Sequence, residues 1–141
     1  MSKDNAYLAD ILDSARIIQQ HLAGMNRDQF LADQRTQDAV VRRFEIIGEA
    51  ARHLSPAALR ALPDVPWNLM VGMRNLLIHD YDDVDPKRVW TDSQNDLTPL
   101  IARLEAYLAG QPENSGNDES PQKNLSGIAD ALAPLFPRKD V

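Results

Sequence analysis

The sequence predicts an all-α protein, an up-and-down bundle of four long helices with short helical pieces between them. Two observations support this fold class. Apolar residues recur at three- and four-residue spacing in several long stretches, and no segment shows sustained period-two alternation. At 141 residues the chain has the length of one domain, which we expect to occupy residues 1–110.

The first long helix is predicted over residues 5–24, where apolar side chains from Tyr7 to Leu22 form one stripe. Asp4 or Asn5 is placed to cap it, and Gly24 is placed to end it.

A short turn over residues 27–33 leads to the second long helix, and Gly48 inside that helix predicts a close contact with a neighbouring helix. Its apolar stripe consists of Val40, Phe44, Ile47, Ala51 and Leu54.

Ser55 is suited to cap a helix, and Pro56 is suited to its first position. Together they predict a brief helical piece over residues 56–62. The third long helix follows Pro66 with the sequence WNLMVGMRNLLIH and ends in the acidic turn DYDDVD. One face of this helix carries Trp67, Met70, Met73 and Leu77.

The fourth long helix is predicted to begin after Asp85 and Pro86 and to stop at Gly110. Pro99 lies within it and removes one backbone hydrogen bond, so we expect a kink near residue 95.

The last 31 residues differ in composition from the bundle. Residues 111–124 contain no hydrophobic side chain, which predicts a solvated, disordered linker. Residues 125–141 carry a short apolar stripe that cannot hold a helix alone in water. This amphipathic C-terminal segment must dock on the bundle or on a partner, or be a disordered tail.

Composition excludes several kinds of chemistry. Without cysteine there are no disulfides, thiolate metal sites or cysteine nucleophiles. No apolar run could span a membrane and the N-terminus is polar, so we expect a cytoplasmic protein with no membrane partner.

The net charge is −6, but residues 35–90 contain seven arginines, which could either form a local basic face or pair with carboxylates.

The densest cluster of reactive side chains is RNLLIHDY, residues 74–81. Arg74 supplies a fixed cation, His79 an imidazole that can accept or donate a proton, and Tyr81 a phenol. These groups could cleave RNA without metal, with a base for the 2′-hydroxyl proton and a guanidinium for the charge on phosphate. The alternative is structural, with the histidine at a helix C-terminus and the tyrosine packed on the bundle.

Helix geometry constrains this cluster. At about 100° per residue, Arg74 and Tyr81 share a face, whereas His79 lies about 140° from Arg74. Either the helix unwinds after Ile78, or a two-fold partner brings a second copy of the motif across a shared cleft.

The segment RNLLIHDY resembles the R-x4-H-x-Y motif of the HepT family of HEPN-domain toxins. The resemblance extends over YLADIL at residues 7–12, FEIIGEA at 44–50, VPW at 65–67 and VW at 89–90. It covers most of residues 7–108 and excludes the linker and the C-terminal stripe.

This resemblance implies an all-α HEPN bundle that forms a homodimer with a composite ribonuclease site in the dimer cleft. Arg74 and His79 correspond to the catalytic pair, and Asn75 to the polar position that follows the arginine. Tyr81 corresponds to the phenol that a minimal nucleotidyltransferase antitoxin of the MntA type modifies with AMP. Glu49 either supports an arginine of the cleft or forms a simple interhelical or surface ion pair.

The first functional hypothesis is therefore an RNA-cleaving toxin of a type VII toxin–antitoxin system, which needs no metal or cofactor and leaves a 2′,3′-cyclic phosphate. The alternative is a non-catalytic HEPN module that binds substrate or regulates a nucleotidyltransferase. Metal-dependent hydrolysis is a weaker alternative, because the acids of DYDDVD are consecutive in a turn and lack the spacing of a cation-binding loop.

Overall fold

The computed structural model describes residues 2–79, 82 and 84–111, and in this part of the chain it contains seven helices and no strand. The all-α prediction is confirmed. The helices are α1 (Lys3–Leu22), α2 (Arg27–Leu31), α3 (Gln34–Arg52), α4 (Pro56–Ala61), α5 (Trp67–His79), α6 (Pro86–Asn95) and α7 (Leu97–Ala109). None of these helices is long and apolar enough to cross a membrane.

Helix α3 is the central element of the bundle. It packs against α1 and α5, while α7 packs on α1 and the short helix α2 bridges α3 and α6. The apolar stripes predicted from the sequence meet in one core, as their helical spacing requires. The largest fully buried side chains are Leu8, Ile11, Ile18, Phe30, Phe44, Ile47, Leu62, Met70, Leu97, Leu100 and Leu104.

The start of α1 differs from the prediction. Ser2 is the N-cap and accepts a hydrogen bond from the Asn5 backbone N–H. Asp4 instead accepts hydrogen bonds from the backbone N–H and the hydroxyl of Ser55, at 2.9 and 2.6 Å, and so ties α1 to the turn before α4. Gly24 does mark the end of α1, and its φ of +77° is a conformation that glycine adopts without strain.

Residues 27–33 were predicted as a turn, which is wrong, because α2 occupies Arg27–Leu31. A capping box forms this one-turn helix: the Asn26 side chain accepts from the Gln29 backbone, and the Gln29 side chain accepts from the Asn26 backbone, both at 2.8 Å. Phe30 is completely buried and anchors the helix to the core.

The predicted fourth long helix is two helices, so the expected kink is a full break. Asp96 ends α6 and begins α7, one residue beyond the position where the kink was predicted. Pro99 therefore falls in the first turn of α7, where a backbone N–H has no intrahelical acceptor and its loss costs little.

The piece predicted over 56–62 is confirmed as α4. The predicted linker and C-terminal segment lie outside the described residues, apart from Gln111.

Candidate active site

Arg74 lies where α5 crosses α3 at very short range. A β-carbon added to Gly48 of α3 would lie 2.2 Å from the Cβ of Arg74 and 2.8 Å from the carbonyl oxygen of Met70. Only glycine permits this approach, because any side chain would occupy the space of the α5 backbone. The close helix contact predicted at Gly48 is confirmed, and it sets the position of the arginine.

Two neighbours hold the Arg74 guanidinium. Its Nη2 lies 3.0 Å from Oε1 of Glu49 on α3, and its Nη1 donates to Oδ1 of Asn75 at 2.8 Å. The buried Nε has no hydrogen-bond partner among the described residues. A guanidinium carries five N–H donors, so these two contacts orient the group and leave donors for an anionic ligand.

Glu49 contacts three side chains of this cluster. Besides Arg74, its carboxylate binds Arg52 Nη2 at 3.0 Å and His53 Nε2 at 2.9 Å. The hydrogen bonds from Arg52 and then from His53, together with the charges of Arg52 and Arg74, lower the pKa of Glu49 to about 2. The carboxylate is therefore ionised at neutral pH. Its contact with Arg74 is an interhelical ion pair, which is one of the two interpretations of Glu49, and its partner in that pair is the candidate catalytic arginine.

A groove of about 340 Å³ opens beside Arg74. His53 forms part of its wall and stacks on the ring of Tyr7, with ring centroids 5.3 Å apart. Ile78, the one large hydrophobic side chain that is exposed in the described part of the chain, also borders the groove. The full lining is Tyr7, Asp10, Arg42, Glu45, Ile46, Glu49, Ala50, His53, Arg74 and Ile78.

His79 lies apart from this groove. It is the last residue of α5, it is exposed, and it does not contribute to the groove lining. Helix α5 includes His79, so it does not unwind after Ile78. The imidazole therefore stays on a different side of the helix from Arg74. Tyr81 lies outside the described residues.

Several arginines of residues 35–90 do pair with carboxylates, as one of the two sequence interpretations expected. Arg42 contacts Glu45, Arg52 and Arg74 contact Glu49, and Arg88 contacts Asp92. Of these residues, Arg42, Glu45, Glu49 and Arg74 line the groove, which therefore carries both positive and negative groups. No group of three or more residues able to ligate a metal occurs in the described ranges.

Most residues that line the groove were not predicted as site residues from the sequence, and these include its two stacked rings, Tyr7 and His53. Tyr7 was assigned to an apolar stripe and to the segment YLADIL that carries the family resemblance, with no role in the site, and His53 was not singled out. One signal for His53 was present: it follows Glu49 by four residues, a spacing that places two side chains side by side on a helix. No spacing in the sequence could bring Tyr7 to His53, since they come from different helices.

The fold and the site together describe an all-α protein with an arginine in a surface groove. Comparison of its sequence with family models and with other proteins identifies the family. Residues 11–107 match the family model described as "Ribonuclease HepT-like", so the chain belongs to the HepT-like ribonuclease family.

Individual relatives agree with this assignment. The chain is 36% identical over 99 residues to "Probable ribonuclease HepT" of Thermococcus cleftensis, a match that covers 70% of this chain and 90% of the relative. It is 35% identical over 113 residues to "Putative RNase MJ0127" of Methanocaldococcus jannaschii, covering 78% and 93%. No solved structure gives a significant match.

Proposed function

We propose that this protein is the toxin of a type VII toxin–antitoxin system, an endoribonuclease that cleaves RNA without a metal ion. One observation carries the proposal. The chain belongs to the HepT-like ribonuclease family, and the arginine of its R-x4-H-x-Y motif, Arg74, is held where α3 and α5 cross. The contacts that hold this guanidinium leave some of its N–H donors unused. A guanidinium in a fixed position is suited to bind a phosphodiester and to stabilise the charge that develops on it.

The proposed reaction is a transesterification. Arg74 binds the scissile phosphate, and His79 accepts the proton of the adjacent 2′-hydroxyl. The 2′-oxygen forms a bond to phosphorus while the bond to the 5′-oxygen breaks. The products are a 2′,3′-cyclic phosphate and a 5′-hydroxyl end, which forms when the departing 5′-oxygen takes up a proton. No water is added to the phosphorus, and no metal takes part in this step.

The reaction needs two copies of the chain. Arg74 and His79 lie on different sides of one intact helix, so a single copy does not bring them together. A two-fold axis beside α5 would place His79 of one copy next to Arg74 of the other. The exposed Ile78, between the motif's arginine and histidine, supplies apolar surface for that contact.

The proposed partner is a minimal nucleotidyltransferase antitoxin of the MntA type, which transfers AMP to Tyr81. The support is the family motif, in which this tyrosine stands two residues after the histidine. An AMP group carries negative charge and bulk, so it would repel and block the phosphates of RNA.

Cleavage of RNA by the purified protein in EDTA tests the enzymatic part of the proposal. Arg74→Ala and His79→Ala should each lower the rate by at least a hundredfold while the melting temperature stays within a few degrees. Arg60→Ala and His21→Ala are matched controls, because both residues are exposed and lie outside the groove. A wild-type protein that binds RNA or a nucleotidyltransferase without cleaving RNA would favour the non-catalytic alternative.

A separate experiment tests control by the partner. Incubation with ATP, magnesium and the nucleotidyltransferase should add mass in units of AMP and abolish cleavage together. Tyr81→Phe keeps the ring and loses the acceptor oxygen, so this variant should remain active and unmodified. Full silencing of Tyr81→Phe by the partner would contradict the covalent mechanism.

A further inference from the structure

The candidate site contains a second imidazole that the motif does not include. His53 lies at the end of α3, lines the same groove as Arg74, and has a side chain that is 41% exposed. Glu49 links the two residues, because Oε1 contacts Arg74 Nη2 and Oε2 contacts His53 Nε2. One carboxylate thus holds the guanidinium and the imidazole on its two oxygens.

The His53 ring is fixed from two directions. Tyr7 of α1 stacks against its face, with an interplanar angle of 16°, and Glu49 binds its Nε2. Among the described residues, Nδ1 has no hydrogen-bond partner. A carboxylate beside Nε2 keeps a proton on that nitrogen whether the ring is charged or neutral, so Nδ1 is the nitrogen that can exchange a proton.

RNA transesterification requires a group of this kind. The 2′-hydroxyl must lose a proton and the departing 5′-oxygen must gain one, and His79 accounts only for the first transfer. The departing 5′-oxygen is bonded to the phosphorus that Arg74 is proposed to bind, and the 2′-oxygen forms its bond to the same phosphorus during the step. His53 lines the same groove as Arg74 and binds the same carboxylate, so it is placed to reach a phosphodiester bound in that groove.

We propose that His53 is the general acid of this site, an inference that rests on the proposed ribonuclease function. The protonated ring donates its Nδ1 proton to the 5′-oxygen as the bond between phosphorus and that oxygen breaks. The neutral ring that remains carries its proton on Nε2, the tautomer that Glu49 binds. His79 of the second copy gains the proton of the 2′-hydroxyl, so the protons balance over the step.

A change of leaving group separates this role from a structural one. A 5′-thiolate departs without being protonated, so RNA with sulfur in place of the 5′-bridging oxygen at the cleaved linkage does not need a general acid. His53→Gln should slow cleavage of ordinary RNA by about a hundredfold or more, and cleavage of the sulfur substrate by less than about fivefold. Arg52→Gln is the matched control, because it removes a different partner of Glu49 from the same turn and keeps the imidazole. It should affect both substrates equally.

Each other outcome overturns the assignment of His53. Equal slowing of both substrates would mean that His53 only positions Glu49 or Arg74, and unchanged rates on both would mean that it takes no part. His53→Asn provides a second variant should the glutamine variant melt at a lower temperature. If the wild-type protein cleaves neither substrate, the ribonuclease proposal itself fails, and this result is distinct from failure of His53 alone.

Discussion

Gly48 shows how one missing side chain positions the site. Alanine at this position would place its Cβ 2.2 Å from that of Arg74, so α3 and α5 must move apart. We expect Gly48→Ala to lower the free energy of unfolding by about 1–3 kcal/mol, the usual cost of overpacking, and to reduce RNA cleavage because Arg74 shifts. Chemical denaturation and cleavage rates measure the two effects.

Gly72→Ala is the control for Gly48→Ala. Gly72 also lies inside a helix, but a β-carbon there would meet nothing within 4 Å. This change should stabilise the protein by about 0.5–1 kcal/mol through helix propensity and leave cleavage unchanged. Equal effects of the two substitutions would show that the short distance between α3 and α5 is not what positions Arg74.

Glu49 should give the protein a stability contribution that disappears in acid. Its pKa is lowered to about 2 by Arg52, His53 and Arg74, from 4.5, so its ionised form favours the folded state. The contribution is complete above about pH 5 and is lost as the pH falls from 4.5 toward 2. In denaturation at a series of pH values, Glu49→Gln should be less stable than wild type at pH 6 and approach it near pH 2. A difference that stays constant over this range would exclude the charge interactions as its cause.

At the level of elements, the junction of α6 and α7 should respond to pH in the opposite direction. Burial raises the pKa of Asp96 from 3.8 to about 6, and its Oδ2 has no hydrogen-bond partner among the described residues. The ionised form is therefore costly, and that cost develops as the pH rises from about 4 to 6. Asp96→Asn should be more stable than wild type by about 1–3 kcal/mol at pH 8 and nearly equal to it at pH 4.

Asp13→Asn provides the comparison for this prediction, since Asp13 is an exposed carboxylate in the middle of α1. It should leave stability the same at both pH values. If Asp96→Asn lowers the melting temperature at pH 8, the Asp96 carboxylate must make a stabilising interaction there, and the predicted sign is wrong.

The helices that the sequence predicted well are those with long apolar stripes. Helices α1, α3 and α5 follow from their periodicity, because burial of one continuous face dominates their stability. Helix α2 was missed because a single turn leaves no period to detect, and its stability comes from a capping box and one buried phenylalanine. The break at Asp96 was expected only as a kink, since a proline predicts a disturbance but not its form.

The same limit applies to the site. Arg74, Asn75 and His79 form one short segment, so a motif could indicate them. His53 and Tyr7 reach the groove from α3 and α1, and their contact depends on how these two helices pack. Sequence spacing within a helix predicts neighbours on that helix, whereas contacts between helices require the fold.

For the whole molecule, the central prediction is a homodimer formed beside α5. Light scattering should give twice the 15.8 kDa of one chain. Ile78→Asp should return a single-chain mass while the chain stays folded, because this side chain is 42% exposed. Leu77→Asp should instead unfold the protein, since Leu77 is 2% exposed and lies in the core. A dimer that survives Ile78→Asp would place the interface elsewhere.

Mixing two inactive variants tests the composite site most directly. A dimer of one Arg74→Ala chain and one His79→Ala chain keeps one intact pair, with the arginine from one copy and the histidine from the other. After the two variants are unfolded and refolded together in equal amounts, half of the dimers should be mixed, each with one of its two sites intact. RNA cleavage, absent from each variant alone, should return to about a quarter of the wild-type rate. A mixture that remains as inactive as its components would contradict a site shared between Arg74 and His79 of two chains.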